Sequence, residues 1–255
     1  MADYILDRTD EGALIFTINR EEKRNAINYE VMDGLKAAID EAANDDRVKL
    51  LIITAAGEKA FCSGGDLDTF HGLQTEEQAY AMLNKMGDIL YQLATLPKMT
   101  AALINGSAVG GGCEIAAACD FRLARNGARM GFIQGRLAIT TGWGGGSLLM
   151  EKLAFSDALY LLGTAGVFTS EQMVEFGFVN ELVETTDISS VLQFMEGFLN
   201  KDVHVLSSYK NAVVEKWESG QLRERINKEI RQCAKLWEKE EHHAAVEKFL
   251  SKRLN

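Results

Sequence analysis

"INGSAVGGGCEIAAACDF" (104–121) and, earlier in the chain, "CSGGDLDTF" (62–70) are the stretches from which the fold can be read. Each follows an apolar strand pattern. "MTAALING" (99–106) precedes the first, and the near-continuous "VKLLIITAAG" (48–57) precedes the second; such runs are typical of strands buried on both faces of a parallel sheet. Each is followed by a helical pattern, so each places free backbone N–H groups at the carboxyl edge of a sheet, where open α/β folds bind ligands. Glycine lets a ligand atom approach the main chain closely. In "VGGGCEIAAACD" the third glycine falls near a helix start, where unsatisfied N–H groups and the dipole favour negative charge. Two such turns facing each other would aim two amide donors at one oxygen, which is an oxyanion hole.

Outward from these turns the patterns alternate in type. "YILDRT" (4–9) and "ALIFTINR" (13–20), parted by "DEG", predict a hairpin. "NYEVMDGLKAAIDEAANDD" (28–46) carries Val31, Leu35, Ala38, Ile39 and Ala42 at helical spacing, with Asn28 placed to cap it. A helix over "TEEQAYAMLNKMGDILYQLATL" (75–96) stops at Pro97, the one proline of the chain. "FRLAR" (121–125) and "FVNELV" (178–183) predict further strands, with short helical pieces "GGSLLMEKLA", "SDALYLLG" and "SEQMVEFG" between them. From 187 onward nearly everything reads as helix. The organisation is an α/β core over 1–195 followed by a helical region over 196–255. Within that region Ile226, Ile230, Cys233, Leu236 and Trp237 form an apolar stripe that one domain is expected to leave partly uncovered, which points to self-association.

Bulk properties narrow the function classes. The chain has 255 residues, 47% of them hydrophobic and 25% charged, the composition of an ordinary globular protein with a sizeable core. A formal net charge of −10 argues against nucleic acid or an anionic membrane as the main partner. Local amides and a few lysines can still hold an anionic ligand. Cys62, Cys113, Cys119 and Cys233 show no CxxC spacing and read as reduced thiols rather than a disulfide framework or a zinc site. The N-terminal "MADYILDRTDEGALIF" has no basic region followed by an apolar one, and no segment reaches the ~18 apolar residues of a membrane span. The expectation is a cytoplasmic protein with no membrane partner.

Competing glycine motifs fail. There is no G-x-x-x-x-G-K-[ST], no G-x-G-x-x-G register in the first βα position, and no G-x-S-x-G elbow. What the chain resembles, nearly end to end, is the crotonase superfamily, the enoyl-CoA hydratase/isomerase family. "INREEKRNAIN" (18–28) is similar to the family's CoA-contacting segment, and "KAFCSGGDLDTF" (59–70) to its first oxyanion loop. "ALINGSAVGGGCEIAAACDFRLA" (102–124) is similar to its signature. "FTSEQMVEFGFVNELV" (168–183) resembles its later helix–strand unit and "FLSKR" (249–253) its C-terminal helix. The resemblance implies a spiral of ββα units with a helical C-terminal trimerisation part, assembled as homotrimer or hexamer. It implies an acyl-CoA substrate whose thioester oxygen becomes an enolate, held by the main-chain N–H groups of Gly65 and Gly111 at about 3 kcal/mol per donor. Arg24, Ala26, Ser63, Gly64, Asp66 and Leu67 would lie along the CoA moiety and Lys252 near its adenine or phosphates. CoA is then part of the substrate, and no metal or other cofactor is expected.

The acid–base groups depart from the family pattern. Hydration of a 2-enoyl thioester uses two glutamates. Glu114 matches the first, and the second falls on Gln134 in "MGFIQGRLAITTGWGGG", where a glutamine cannot exchange a proton at neutral pH. The family's "PG" before paired glycines reads "TGWGG" here, introducing Trp143. Glu114 has a second reading as a first-turn acid favouring the helix dipole, and Asp66 one as a helix cap. His71 could face the pocket, whereas His204, His242 and His243 show no interpretable spacing. Three functions stay open. The first is a hydratase/isomerase-type enzyme with Glu114 as single base. The second is a decarboxylase of a malonyl-type thioester such as ethylmalonyl- or methylmalonyl-CoA, hinted at by "ACDFRLA" and the Trp-Gly-Gly. The third is a non-catalytic acyl-CoA binder.

Overall fold

A computed structural model of the chain describes residues 2–251. The elements run β1 (Tyr4–Arg8), β2 (Ala13–Ile18), α1 (Tyr29–Asn44), β3 (Leu50–Ala55), β4 (Ala60–Cys62), α2 (Leu67–Phe70) and α3 (Glu76–Thr95). Then come β5 (Met99–Ile104), β6 (Ser107–Val109), α4 (Gly111–Ala118), β7 (Phe121–Arg125), β8 (Arg129–Gly131) and α5 (Gly145–Lys152). After α6 (Phe155–Thr164), β9 (Phe168–Thr169), α7 (Ser170–Glu175) and β10 (Glu181–Val183), the chain is helical: α8 (Ile188–Phe194), α9 (Glu196–Leu199), α10 (Val203–Ser219), α11 (Leu222–Trp237) and α12 (Glu240–Ser251).

The strands form two sheets. One has the order β1-β2-β3-β5-β7-β10, parallel except for the β1–β2 hairpin, and the other the order β4-β6-β8-β9. From β3 to β8 the chain alternates between them: β3, β5 and β7 enter the first sheet, and β4, β6 and β8 the second. Helices follow the first two of these pairs, so each circuit is a ββα unit and the core is a spiral, as the resemblance implied. All six residues of β3 and all six of β5 are buried, which is why their sequences lack a polar face.

Local signals set the boundaries. The Asn28 side chain accepts from the Val31 N–H to start α1, and Thr75 with Gln78 forms a capping box on α3. The helix α4 is buried along its whole length. It lies so close to β4 that a Cβ on Gly112 would stand 2.3 Å from the Cys62 carbonyl oxygen. Its C-terminal end meets cations, since the Cys119 carbonyl accepts from Arg122 Nη1 at 2.8 Å and from Lys152. Its N-terminus faces the site described below.

Two sequence expectations are corrected. "FVNELV" is strand only over Glu181–Val183. The amides of Phe178 and Val179 instead donate to the Met173 carbonyl and close off α7, while Asn180 Oδ1 accepts from the Arg122 N–H. The α11 stripe is not left open for a second copy. Ile226, Ile230 and Cys233 are buried, Trp237 is nearly so, and Leu236 packs against the same core. A helical period tells which side of α11 is apolar, and here that side is taken up by α3 and the segment before α5: Ile230 lies over Gly87 and Cys233 over Gly142. The C-terminal helices thus close over the α/β core. On the other face of the large sheet, Val191, Met195 and Leu206 form a second apolar layer with Ile15, Ile52 and Leu103.

Candidate active site

The β4 strand delivers the chain into a turn at Gly64, whose φ of +96° suits glycine alone. The Ile27 N–H donates to the Gly64 carbonyl at 2.9 Å and the Asp66 N–H to the Ile27 carbonyl at 2.8 Å. This bridge uses the groups on either side of Gly65, so Gly65's own N–H faces away from Ile27. The segment before Ile27 is pinned to the same loop: the Ser63 N–H donates to the Arg24 carbonyl, and buried Arg20 bonds both the Ala26 carbonyl (2.6 Å) and Asp66 (2.8 Å). Asp66 Oδ1 also accepts from the Asp68 N–H and caps α2.

On the opposing turn Gly111 opens α4, so its N–H is one of the four without an intrahelical partner. The turns abut, since a Cβ on Gly64 would lie 3.3 Å from the Gly111 nitrogen. The Trp143 indole lies across both. A Cβ on Gly111 would come 2.1 Å from its Cζ3, and one on Gly65 would come 3.7 Å from its Cζ2. Gly65, Gly111 and Trp143 all line one cavity of about 1070 Å³.

Glu114, one turn into α4, is 2% exposed and lines that cavity. Its Oε2 accepts from the N–H groups of Trp143 (2.8 Å) and Gly145 (2.9 Å). Its Oε1 accepts from Gln134 Nε2 (2.8 Å) and, at a long 3.4 Å, from the Gly142 N–H. Burial raises its pKa to about 7, the charge of nearby Glu229 adds to the rise, and the amide hydrogen bonds work against it. Gln134 is buried too, and its Oε1 has no hydrogen-bond partner.

Every sequence-predicted site residue within the described range lines this cavity: Arg24, Ala26, Ser63, Gly64, Gly65, Asp66, Leu67, Gly111, Glu114 and Gln134. Lys252 lies outside the described residues. His71 is exposed, bonds the Leu67 carbonyl through Nδ1, and is not part of the lining. The resemblance implied that the C-terminal helices help to form the site, and they do, but the sequence did not say which of their residues reach it. Cys233 and Trp237 of α11 and His242 of α12 form one wall, and the exposed side chains of Lys23, Arg136 and Lys248 also line the cavity. His242 is 3% exposed, and its Nδ1 contacts the Leu137 carbonyl at 2.7 Å. A carbonyl can only accept, so Nδ1 carries the hydrogen. Buried Phe70, Met82 and Leu83 add apolar surface to the lining. Among the described residues no group of three or more His, Cys, Asp or Glu is placed to hold a metal ion. Among them, too, no helix is long and apolar enough to cross a membrane.

Comparison with known proteins identifies the family. Residues 8–255 match the sequence model of the enoyl-CoA hydratase/isomerase family. The chain belongs to that family. It is 34% identical over 187 residues to a short-chain-enoyl-CoA hydratase of Clostridium acetobutylicum, which is 73% of this chain and 70% of that one. It is 31% identical over 212 residues to an ethylmalonyl-CoA decarboxylase of Rattus norvegicus, covering 82% of this chain and 71% of that one. The crystal structure of an enoyl-CoA hydratase from Bacillus halodurans superposes with a TM-score of 0.87 at 23% identity, over 96% of this chain and 99% of that one, a likeness of fold. As a family member the chain transforms acyl-CoA thioesters. The cavity lining joins four exposed cations, Lys23, Arg24, Arg136 and Lys248, and the acids Glu22 and Asp68 to buried apolar side chains, a mixture that suits a phosphorylated carrier and an acyl group.

Proposed function

We propose that the site forms a thioester enolate, with the N–H groups of Gly65 and Gly111 on the thioester oxygen, and that the reaction it supports best is decarboxylation of a small malonyl-type acyl-CoA. The observation that carries this reading is the engagement of Glu114. Its Oε2 is filled by two backbone amides and its Oε1 by Gln134, so the side chain that would have to be the second carboxylate of a hydration site is instead a donor to the first. In decarboxylation the bond from Cα to the carboxylate breaks, CO₂ leaves, and the electron pair moves into the thioester as an enolate. The enolate Cα then takes one proton from water or from Glu114. No base is required, and the hole acts where charge develops. The second N–H of Gln134 Nε2 is available to a substrate carboxylate.

One observation favours a second reading, double-bond isomerisation. A carboxyl whose pKa is raised to about 7 is suited to carry a proton from Cα to Cγ. Incubation with crotonyl-CoA, a 3-enoyl-CoA and ethylmalonyl- and methylmalonyl-CoA, read by mass spectrometry, separates the outcomes. Loss of CO₂ is expected. Fast water addition to crotonyl-CoA would overturn the proposal, and tight binding without turnover of any thioester would make the chain a binder. Assembly as a homotrimer or hexamer is also proposed, now from a different surface than the α11 stripe: Phe155, Leu159 and Tyr160 of α6 are 74%, 50% and 53% exposed. A cytoplasmic location, with no nucleic-acid partner, fits the net charge and cysteine usage.

A further inference from the structure

The first turn of α5 holds two carboxylates, not one. The N–H groups of Gly142, Trp143 and Gly145 point to Glu114 of α4. Those of the next two residues point to Glu229 of α11: Gly146 to Oε1 at 3.2 Å, and Ser147 to Oε2 at 2.7 Å. The Ser147 hydroxyl adds a 2.6 Å bond to the same Oε2, and the Thr141 side chain also bonds Glu229. Five of the six backbone N–H groups from Gly142 to Ser147 are therefore divided between two acids, one from α4 and one from α11. The turn has no capping side chain of its own, because Gly144 occupies the N-cap position with φ of +88°. Glu229 supplies what the cap lacks, and it does so beside the group that carries the proposed proton chemistry.

Glu229 is also out of place in its own helix. It lies on the stripe of Ile226, Ile230 and Cys233, three and four residues from buried neighbours, where an acid is costly unless its oxygens are satisfied. Here they are satisfied by α5. We propose that Glu229 is a positioning residue that works through Glu114, fixing the α5 amides that orient the Glu114 carboxylate and placing a second negative charge beside it. Burial and hydrogen bonds aside, the titratable groups acting on Glu114 are Glu229 and, from α4 and α11, the thiols of Cys113 and Cys233. Burial raises both thiols, and it raises Glu229 as well, while the hydrogen bonds from Ser147, Thr141 and Gly146 favour the charged form of Glu229; any negative charge facing Glu114 in the neutral range is thus that of Glu229. The repulsion between the two acids favours one proton on the pair.

This inference rests on Glu114 being the acid–base group, and its test separates the two claims by reading Glu114 directly. In Glu229→Gln the amide oxygen still accepts from the Ser147 N–H while the charge is gone. Difference infrared spectroscopy against Glu114→Gln follows the Glu114 carboxyl across pH in either background. We expect the Glu114 titration to move to lower pH in Glu229→Gln and to stay near its original place in Glu229→Asp. Ser147→Ala, which removes only the 2.6 Å hydroxyl bond to Glu229, should shift it in the same direction by less, since a weaker-held Glu229 is less often ionised. An unmoved Glu114 titration in Glu229→Gln, with a lowered melting temperature, would reduce Glu229 to a helix cap and overturn the inference. Should Glu229→Gln fail to fold, an unmoved titration in Ser147→Ala has the same force. A shifted titration with an unchanged pH–rate profile would uphold the pair and refute the catalytic role of Glu114 instead.

Discussion

Replacing Gly111 by alanine tests the geometry at its tightest point. The added Cβ would lie 2.1 Å from Trp143 Cζ3, 2.5 Å from Cη2 and 2.8 Å from Cε3. Ordinary carbon–carbon separation is about 3.5 Å, so the ring must retreat by roughly 1.4 Å. It has little room: Trp143 is 4% exposed, and its own N–H is bonded to Glu114. Overpacking of this kind costs about 1–3 kcal/mol, against at most ~1 kcal/mol gained from alanine over glycine in a helix. The net effect is a loss of stability of up to about 3 kcal/mol. Turnover should suffer more. The Gly111 amide, the indole and the Glu114 carboxylate shift together, and loss of one oxyanion donor alone is worth about 10²–10³-fold. The decisive measurement is a double-mutant cycle with Trp143→Ala, followed by urea melts and by turnover of whichever thioester the wild-type chain consumes. Removing the ring relieves the clash, so the two substitutions should couple by about 1–3 kcal/mol, with the double variant better than the sum. Strict additivity, or a Gly111→Ala variant as stable and active as wild type, would refute the contact and with it the placement of Trp143 over the two glycines.

Three further outcomes are expected. Gln134→Glu should raise crotonyl-CoA hydration by about 10²-fold or more, since each acid–base group is worth about 10²–10⁴; coupled-enzyme or absorbance assays read this directly. Because the Glu114 pKa rises from 4.5 to about 7 on folding, the native state binds more protons than the unfolded chain between those values, and its stability falls as pH rises through that window. Melts at several pH values should accordingly show Glu114→Gln gaining on wild type from pH 4.5 to 7, and a constant difference would contradict the raised pKa. Light scattering at micromolar concentration should give a trimer or hexamer that Leu159→Asp dissociates, and a wild-type monomer would remove α6 as the self-association surface.

Much of the site was legible because it is built from short-range signals. A buried strand, a glycine turn and a helix start are each local, and two of them in order located the two turns; the resemblance to the family then singled out Gly65, Gly111 and Glu114 within them. What failed to be legible depends on distant parts of the chain. The period of α11 marks Ile226, Ile230 and Cys233 as one face, but periodicity does not name the partner, and the partner is α3 of the same chain. The Trp237–His242 wall closes over the cavity from more than a hundred residues beyond the second glycine turn, with ring centroids 4.6 Å apart; no spacing rule reports such an approach. Glu229 did leave a trace in the sequence, an acid inside an apolar stripe. Without the fold nothing showed that α5 would meet it.

The departures at 134 and 143 make sense together once the charges in the cavity are counted. Glu114 and Glu229 already place two acids on the first turn of α5. A third carboxylate at position 134 would stand where Nε2 now sits, 2.8 Å from Glu114 Oε1. Such a pair must share a proton, which is what water addition needs: one acid and one base across a double bond. For a substrate that itself carries a carboxylate the same arrangement is adverse, because the charge the pair keeps then also sits at position 134 and not on Glu114 alone. Two unit charges ~4 Å apart at an effective dielectric of 20 repel by about 4 kcal/mol, which is on the order of 10³ in affinity. A glutamine removes that repulsion, ties down Glu114 with one N–H and leaves the other for an anionic acyl group, while the Trp143 ring walls the space beside both glycine amides. Gln134→Glu should therefore weaken use of malonyl-type thioesters by the same change that improves hydration. A variant that gained the second activity and kept the first intact would show that charge at position 134 does not select the substrate.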